Sequence, residues 1–303
     1  MLIPEISESI INQLQTDFYK RVDGFFVINK PAGVTSHDIV DDVRKILRTR
    51  KVGHAGALDP FATGVLIVLV GKYTRYTEAL IAEDKSYLAD VVLGKSTTTQ
   101  DPEGEVTVVA DDKQLKAFWE LDLDGNSMTA VLKKNFEPGY AQLVPLFSSV
   151  KIGGMKLRVL ARKAKSVERL SAGKYKLQLH DATGNLEEVL VDLPSREVRI
   201  SGLECSQITK WTDEQGASYP LLKVAVSCSK GTYIRQFAED IGNLYNLPAF
   251  LTGLQRTSVG RYKLSSAITI EQLYDYAKLE KLHKPEDEPL RLKALQLEAS
   301  SAA

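Results

Sequence analysis

Apolar residues along the chain fall into short runs that glycine, proline and charged residues separate. The runs Phe25–Ile28 and Val65–Val70 predict two buried strands, because each is short, unbroken and bounded by turn residues. Between them, apolar residues at helical spacing predict an amphipathic helix that begins at Ser36 as its N-cap and runs through Arg48. A similar stripe in residues 6–18 predicts a helix near the N-terminus.

Strands dominate the rest of the pattern. A short helix is predicted at Thr74–Ala82 and a strand at Tyr87–Leu93, and residues beyond Gly94 are β-like with turns at Asp101-Pro102 and Asp124-Gly125. Further strands are predicted over Tyr175–Val191, Val198–Trp211 and Leu221–Cys228, and helices over Ile234–Tyr245 and Ile270–Lys281. Irregularly interspersed helices predict an α+β fold with a mixed sheet. We expect a helical extension in residues 1–23, one catalytic-size domain in 24–264 and a tail in 265–303.

Charge is balanced over the whole chain but not within it. The 303 residues carry 39 Lys and Arg and 39 Asp and Glu, so the net charge gives no evidence for a nucleic-acid partner. Lys20–Arg75 holds ten basic and five acidic side chains, Lys133–Arg169 nine and two, and Glu83–Asp124 four and eleven. These segments could be solvated faces that happen to differ, or the basic ones could be two walls of a groove for a polyanion.

The cysteine count and the N-terminus predict a cytoplasmic protein. Cys205 and Cys228 form no CxxC pair and are too few for a disulfide framework. The first twenty residues show no basic region followed by an apolar core, and no apolar run is long enough to cross a bilayer. We therefore expect no membrane partner.

Candidate chemistry concentrates in Gly53–Leu66, where three glycines and several small residues would let a large ligand approach the backbone. Asp59 lies at its centre. It could bond its own turn, as Asp beside Pro commonly does, or act as a nucleophile or proton-transfer group held ionised by a buried arginine. His54 could likewise be a turn residue. The sequence shows no phosphate-binding loop, HExxH zinc motif, GxSxG motif or kinase motif set, so we expect neither a metal nor a nucleotide cofactor.

Five motifs, in order, resemble those of the TruB family of pseudouridine synthases. They are GFFVINKPAGVTS (24–36), GHAGALDPFATGVL (53–66), KSYLA (85–89), KGTYIRQFAEDIG (230–242) and LTGLQRTSVG (251–260). The resemblance covers most of residues 24–262, and the form of the aspartate loop separates TruB from its sister families. It implies the pseudouridine synthase fold, with a mixed, mainly antiparallel sheet and flanking helices.

The resemblance also assigns roles within the site. Asp59 would be the catalytic aspartate, which attacks the ribose or helps to generate a glycal while uracil detaches, rotates and rejoins through carbon. Tyr87 would stack on the flipped base, and Arg235 would form an ion pair with Asp59. Leu254 would line the uracil pocket, as would Tyr233 or Ile234. Neither cofactor nor metal is implied.

An RNA substrate follows from the same resemblance and fits the basic segments. Residues 133–169 are similar to the family's RNA-clasping insertion, and His54 would fill the space left by the extruded nucleotide or hold the rearranged RNA loop. The expected RNA contacts come from both basic segments: Arg44, Arg48, Lys51, Lys151, Lys156 and Arg162. We expect these residues to converge on one face beside Asp59.

The family's substrates suggest isomerisation of uridine 55 in the T-stem-loop of tRNA. We take a monomer as the default oligomeric state. A tail after Leu264 that is too short for a full appended RNA-binding domain favours guide-independent action. Two alternatives stay open: a tRNA folding factor that binds without chemistry, and a synthase with additional RNA targets. The sequence departs from the family pattern at Asn29 (usually Asp), in residues 144–151 (VPLFSSVK) and at Arg158 (usually Tyr), and residues 168–198 form a longer segment than expected.

Overall fold

Strands make up most of the secondary structure in the computed structural model, which describes residues 22–181 and 183–279. The strands are β1 Gly24–Lys30, β2 Val52–His54, β3 Thr63–Val70, β4 Lys85–Leu93, β5 Lys95–Thr97, β6 Val106–Val109, β7 Tyr140–Leu143, β8 Lys151–Ile152, β9 Met155–Lys156, β10 Ser166–Ser171, β11 Lys174–His180, β12 Leu186–Asp192, β13 Ser195–Val198, β14 Ile200–Thr212, β15 Ser218–Cys228, β16 Ala249–Val259 and β17 Tyr262–Lys263. The helices are α1 Ser36–Ile46, α2 Thr77–Ala82, α3 Asp112–Trp119, α4 Gly125–Phe136, α5 Leu157–Lys163, α6 Ile234–Asn243 and α7 Ile270–Leu279, with 3₁₀ turns at Gly71–Tyr76 and Leu264–Ser266.

The described chain divides into two compact units, of which the first holds the residues up to Leu88 and those from Gly253 onward. Its sheet has the order β1-β3-β16, with β2 added to β3 and β17 to β16. The β1–β3 and β2–β3 pairs are antiparallel, whereas β16 runs parallel to β3. One face of β3 packs on side chains from α1 and α7 and the other on Phe25 and Tyr262. Coverage on both faces explains why β3 is an unbroken apolar run.

The second unit holds residues 89–252. Its main sheet has the order β16-β4-β15-β14, and α4 packs on β14. Smaller antiparallel sheets are formed by β10-β11-β12, β13-β7, β5-β6 and β8-β9. Leu146, Leu157, Leu177 and Val191 are buried in a core that joins α5 to the three-stranded sheet.

The expected α+β class with a mainly antiparallel sheet is confirmed, but the region after Gly94 is not wholly β-like. It contains α3 and α4, and the predicted turn at Asp124-Gly125 is a helix start. Asp111 and Asp124 each accept a hydrogen bond from the backbone N–H three residues later, at 2.7 Å in both cases. These capping boxes satisfy the free N–H groups of a first turn and start a helix where the apolar pattern is weak.

The N-cap of α1 also differs from the expectation. Thr35, not Ser36, caps the helix, because its side chain accepts from the Asp38 backbone N–H and its own N–H donates to the Asp38 carboxylate. Ser36 is buried and bonds elsewhere. Of the other predicted elements, the helix in residues 6–18 and the tail from residue 280 lie outside the described residues. None of the described helices is both long and apolar enough to span a membrane.

Candidate active site

The loop that carries Asp59 connects β2 to β3, and its backbone is held from both sides. On the preceding side, Leu58 exchanges two hydrogen bonds with the buried Ser36 side chain: Leu58 N donates to Ser36 Oγ at 2.8 Å, and Ser36 Oγ donates to Leu58 O at 3.1 Å. Ser36 is fixed because it lies in the first turn of α1. The residue before Asp59 is therefore tied to a helix.

On the following side, the Pro60 carbonyl is held by the loop that precedes α1. It accepts from Gly33 N at 2.9 Å and from Lys30 Nζ at 3.1 Å. The Lys30 ammonium is fully buried and donates also to the carbonyls of Pro31 and Val34, at 2.7 and 2.8 Å. These three carbonyl acceptors offset the cost of burying the ammonium group. Asp59, itself half-buried, lies between these two fixed points.

A second buried cation, Arg256 of β16, holds the loop from beneath. Its guanidinium donates to the carbonyls of Val65 (2.7 Å), Gly56 (3.0 Å) and Ala57 (3.3 Å). Gly64 crosses the Arg256 backbone so closely that a Cβ there would lie 2.2 Å from the Arg256 carbonyl oxygen, and its φ is +103°. Glycine is required at this position. Both ends of the loop are thus anchored to one residue.

His54 ends β2 at the entrance to the loop, opposite Val68 of β3. Its Nδ1 is buried and has no hydrogen-bond partner among the described residues. Burial lowers the pKa of the imidazole, and the positive charges of Arg256 and His37 lower it further. The side chain is accordingly neutral at pH 7.

Tyr87 and Leu254, the other expected pocket residues of this unit, lie in β4 and β16 and are almost fully buried. The start of β4 is fixed by Lys85, whose ammonium donates to the carbonyls of Ile81 (2.6 Å) and Glu83 (2.5 Å). The structure therefore places Asp59, His54, Tyr87 and Leu254 in one compact unit.

Arg235 belongs to the second unit, in the first turn of α6, and it is buried there. Its Nη1 donates to the carbonyl of Thr99 at 2.8 Å and its Nη2 to that of Phe147 at 3.0 Å. Its Nε lies 3.7 Å from Asp101 Oδ2. Asp101 is fixed in turn, since its Oδ1 accepts from Thr99 Oγ1 and from Glu103 N. The guanidinium is thus oriented before any substrate binds.

Tyr233 is positioned by a fully buried amide. Gln142 accepts from the Tyr233 backbone N–H at 2.8 Å and donates to its carbonyl at 3.1 Å, while the guanidinium of Arg196 lies 5.3 Å from the ring centre. Gln142 also donates to the Tyr140 hydroxyl, which donates to Asp240 at 2.7 Å. Burial raises the pKa of the Tyr140 hydroxyl, and the Asp240 carboxylate raises it further.

The expected RNA-contacting residues of the first basic segment differ in their surroundings. The Arg44 guanidinium is already hydrogen-bonded within the protein. It donates to Asp41 at 2.7 Å and to the Val52 carbonyl at 2.9 Å, and so links α1 to β2. Arg48 and Lys51 are exposed. Arg48 has a φ of +50°, which turns the chain directly after α1.

The basic insertion is a folded hairpin and helix with a charged outer side. Gly153 and Gly154, with φ of +57° and +84°, turn β8 into β9, and α5 follows directly. Leu157 and Ala161 bury one side of α5. The exposed basic side chains are Lys151, Arg158, Arg162, Lys163 and Lys165, and Lys156 is half-buried. Their convergence beside Asp59 stays a prediction.

No cluster of three His, Cys, Asp or Glu side chains that could hold a metal ion occurs in residues 22–181 and 183–279. Cys205 and Cys228 are buried in β14 and β15 and are not joined in a disulfide. Sequence reasoning gave no role to Arg256, Gln142 or Asp101. Arg256 stands as a single cation within an otherwise uncharged strand, which is the one signal that could have marked it.

The chain is similar to known proteins both in sequence and in fold. A family model for the N-terminal domain of TruB family pseudouridylate synthases matches residues 44–183. The tRNA pseudouridine synthase B of Bacillus pumilus is 37% identical over 254 residues, which cover 84% of this chain and 71% of that protein. That of Geobacter sulfurreducens is 36% identical over 285 residues, covering 93% and 80%.

Among solved structures, a chain from a Cbf5-Nop10-Gar1 complex matches with a TM-score of 0.50 and 26% identity, over 94% of this chain and 61% of that one. A chain from an H/ACA RNP bound to a substrate RNA containing 2'-deoxyuridine matches with a TM-score of 0.50 and 24% identity, over 89% and 57%. This chain thus spans about 60% of the length of these structures. The fold is that of the pseudouridine synthases. The curated relatives place the chain more closely: it belongs to the TruB family of pseudouridine synthases, which are isomerases.

Proposed function

We propose that this protein isomerises uridine to pseudouridine in tRNA, at position 55 of the T-loop. The isomerisation breaks the bond from C1' of the ribose to N1 of uracil and forms a bond from C1' to C5. The proton on C5 is lost and N1 gains one, so that no atom is added and no oxidant, reductant or cofactor is consumed. The tRNA substrate is supported by the two tRNA pseudouridine synthase B relatives, which match this chain over more than two thirds of their length.

The observation that carries the proposal is the fixed backbone on both sides of Asp59. Ser36 holds Leu58 and Lys30 holds Pro60. A carboxylate that reacts at the anomeric carbon works faster when the protein holds it in the reactive orientation before the substrate binds. Arg256, a second buried cation, also holds the loop through the carbonyls of Gly56 and Ala57. In the proposed reaction the Asp59 carboxylate attacks C1' or helps to generate a glycal.

The remaining roles follow from the TruB resemblance. Tyr87 stacks on the flipped base, and Leu254 and Tyr233 line the uracil pocket. Arg235 is the cation that keeps Asp59 ionised, which suits a guanidinium because it does not lose its proton near neutral pH. The exposed basic side chains of residues 151–165 bind the RNA backbone.

The test uses a T-stem-loop transcript labelled with tritium at C5 of uridine, because isomerisation releases the C5 hydrogen into water. We expect Asp59→Asn to bind the transcript with wild-type affinity and to release no tritium. Asp192→Asn is the matched control, since this exposed carboxylate only faces Lys174 at 3.9 Å. Tritium release by Asp59→Asn at the wild-type rate would overturn the catalytic assignment. Wild-type protein that binds and refolds the transcript without releasing tritium would favour the folding-factor alternative.

A further inference from the structure

Gln100 has a backbone conformation that an L-residue rarely adopts. It lies in the turn between β5 and β6, and its φ is +63°. Left-handed conformations at residues other than glycine, asparagine and aspartate are uncommon, and such outliers cluster at functional sites. A glutamine in this conformation is therefore expected to have a specific role for its side chain.

The side-chain amide of Gln100 is locked against α6. Its Nε2 donates to Gln236 Oε1 at 2.9 Å and to Glu239 Oε2. Both partners are almost fully buried. The other oxygen of Glu239 lies 2.5 Å from Arg169 Nη2, so that Glu239 is held in place by a residue of β10. The amide is thus fixed by two acceptors on one helix.

The two neighbours of Gln100 are two of the three residues that hold Arg235, the third being Phe147. Thr99 offers its carbonyl to Arg235 Nη1 at 2.8 Å, and Asp101 places a carboxylate oxygen 3.7 Å from Arg235 Nε. Helix α6 therefore carries Arg235 in its first turn and binds Gln100 through the next residue, Gln236, and through Glu239 one turn later. Residues 99–101 and helix α6 are therefore linked by hydrogen bonds in both directions within the second unit.

We propose that Gln100 is a positioning residue for Arg235. Its locked amide fixes the turn of residues 99–101, and that turn sets the orientation of the Arg235 guanidinium. The inference rests on the proposed function, because Arg235 acts there as the partner of the reacting carboxylate. Gln100 itself touches neither substrate nor reacting atoms.

The turn has enough other hydrogen bonds to stay folded without the amide. Thr97 Oγ1 donates to Asp101 O at 2.7 Å and accepts from Asp101 N at 3.1 Å, and Leu251 N donates to Gln100 O at 3.1 Å. Removing the amide should therefore leave stability nearly unchanged and let the turn shift locally. Small displacements of a catalytic group cost rate much more than they cost binding.

The test compares three variants in steady-state tritium release, RNA affinity and melting temperature. Gln100→Gly suits the positive φ and removes the amide, and Gln100→Glu keeps the shape but sets a carboxylate against Glu239. We expect both to lower kcat about ten- to a hundredfold, with RNA affinity and KM within about twofold of wild type. In the double variant Gln100→Glu, Glu239→Gln, the amide at position 239 can donate to the carboxylate at position 100, which reverses the wild-type hydrogen bond. This variant should recover most of the lost rate.

Asp122→Gly is the control for the backbone effect alone, because Asp122 also has a positive φ (+46°) but lies exposed between α3 and α4. It should leave kcat unchanged. The proposal is overturned if both single variants keep the wild-type kcat, or if their loss falls on KM and affinity instead. Failure of the proposed function looks different: the wild-type protein itself would then release no tritium.

Discussion

Ser36→Ala tests whether the chain before Asp59 has to be held for catalysis. The substitution removes both hydrogen bonds between Ser36 Oγ and Leu58, of 2.8 and 3.1 Å, and leaves a buried backbone N–H without its acceptor. Net losses of about 0.5–1.5 kcal/mol for each bond, with the penalty for an unpaired buried donor, give a destabilisation of about 1–3 kcal/mol. A loosened Leu58 also frees the neighbouring Asp59, so kcat should fall about tenfold beyond any effect of unfolding.

Thr35→Ala supplies the matched control from the adjacent residue. Thr35 caps α1 and is exposed, so its loss should cost about 1 kcal/mol of stability without touching the Asp59 loop. Urea unfolding measures the stability of both variants, and tritium release at saturating transcript measures kcat. Equal kcat values for the two variants, at similar stability, would refute the reasoning.

Three further predictions concern the surroundings of the loop. Arg256→Met should lower the free energy of unfolding by on the order of 3 kcal/mol, with Arg256→Lys intermediate, because three carbonyls lose a charged donor; an unchanged urea midpoint would contradict this. Gly64→Ala should cost about 2–4 kcal/mol in the same assay, since its Cβ meets the Arg256 backbone, and wild-type stability would exclude that close approach. The imidazole of His54 should titrate below pH 6.5 by NMR. Its unfolded form binds protons more tightly, so acidification below about pH 6.5 should destabilise the protein, and less so in His54→Gln.

Some elements were readable from sequence because a single local pattern specifies them. The run Val65–Val70 is apolar at every position because both faces of β3 are covered. An apolar run of this length predicts a buried strand, since it is too short for a helix. The helix over Ile39–Ile46 shows a clear apolar stripe. In contrast, α3 has only eight residues and α4 buries about one apolar residue per turn, so their capping boxes are the clearest local mark of both helices.

The supports of the candidate site were not readable, because the groups that hold it are far apart in the chain. Lys30 and Arg256 look like surface cations in sequence, and their burial depends on carbonyls about 30 and 200 residues away. Ser36 has the residue type of an N-cap, yet it serves the Asp59 loop. Backbone acceptors leave no trace in side-chain patterns, so only the folded chain shows these partners.

The central claim is that this protein makes pseudouridine at position 55 of tRNA through Asp59. Its most direct test is nucleotide-resolution mapping of pseudouridine in total RNA from cells that lack the protein, complemented with wild-type protein or with Asp59→Asn. The account predicts that pseudouridine 55 disappears from tRNA in the deletion strain, returns with the wild type and does not return with Asp59→Asn. Persistence of pseudouridine 55 in the deletion strain, or its return with Asp59→Asn, would contradict it.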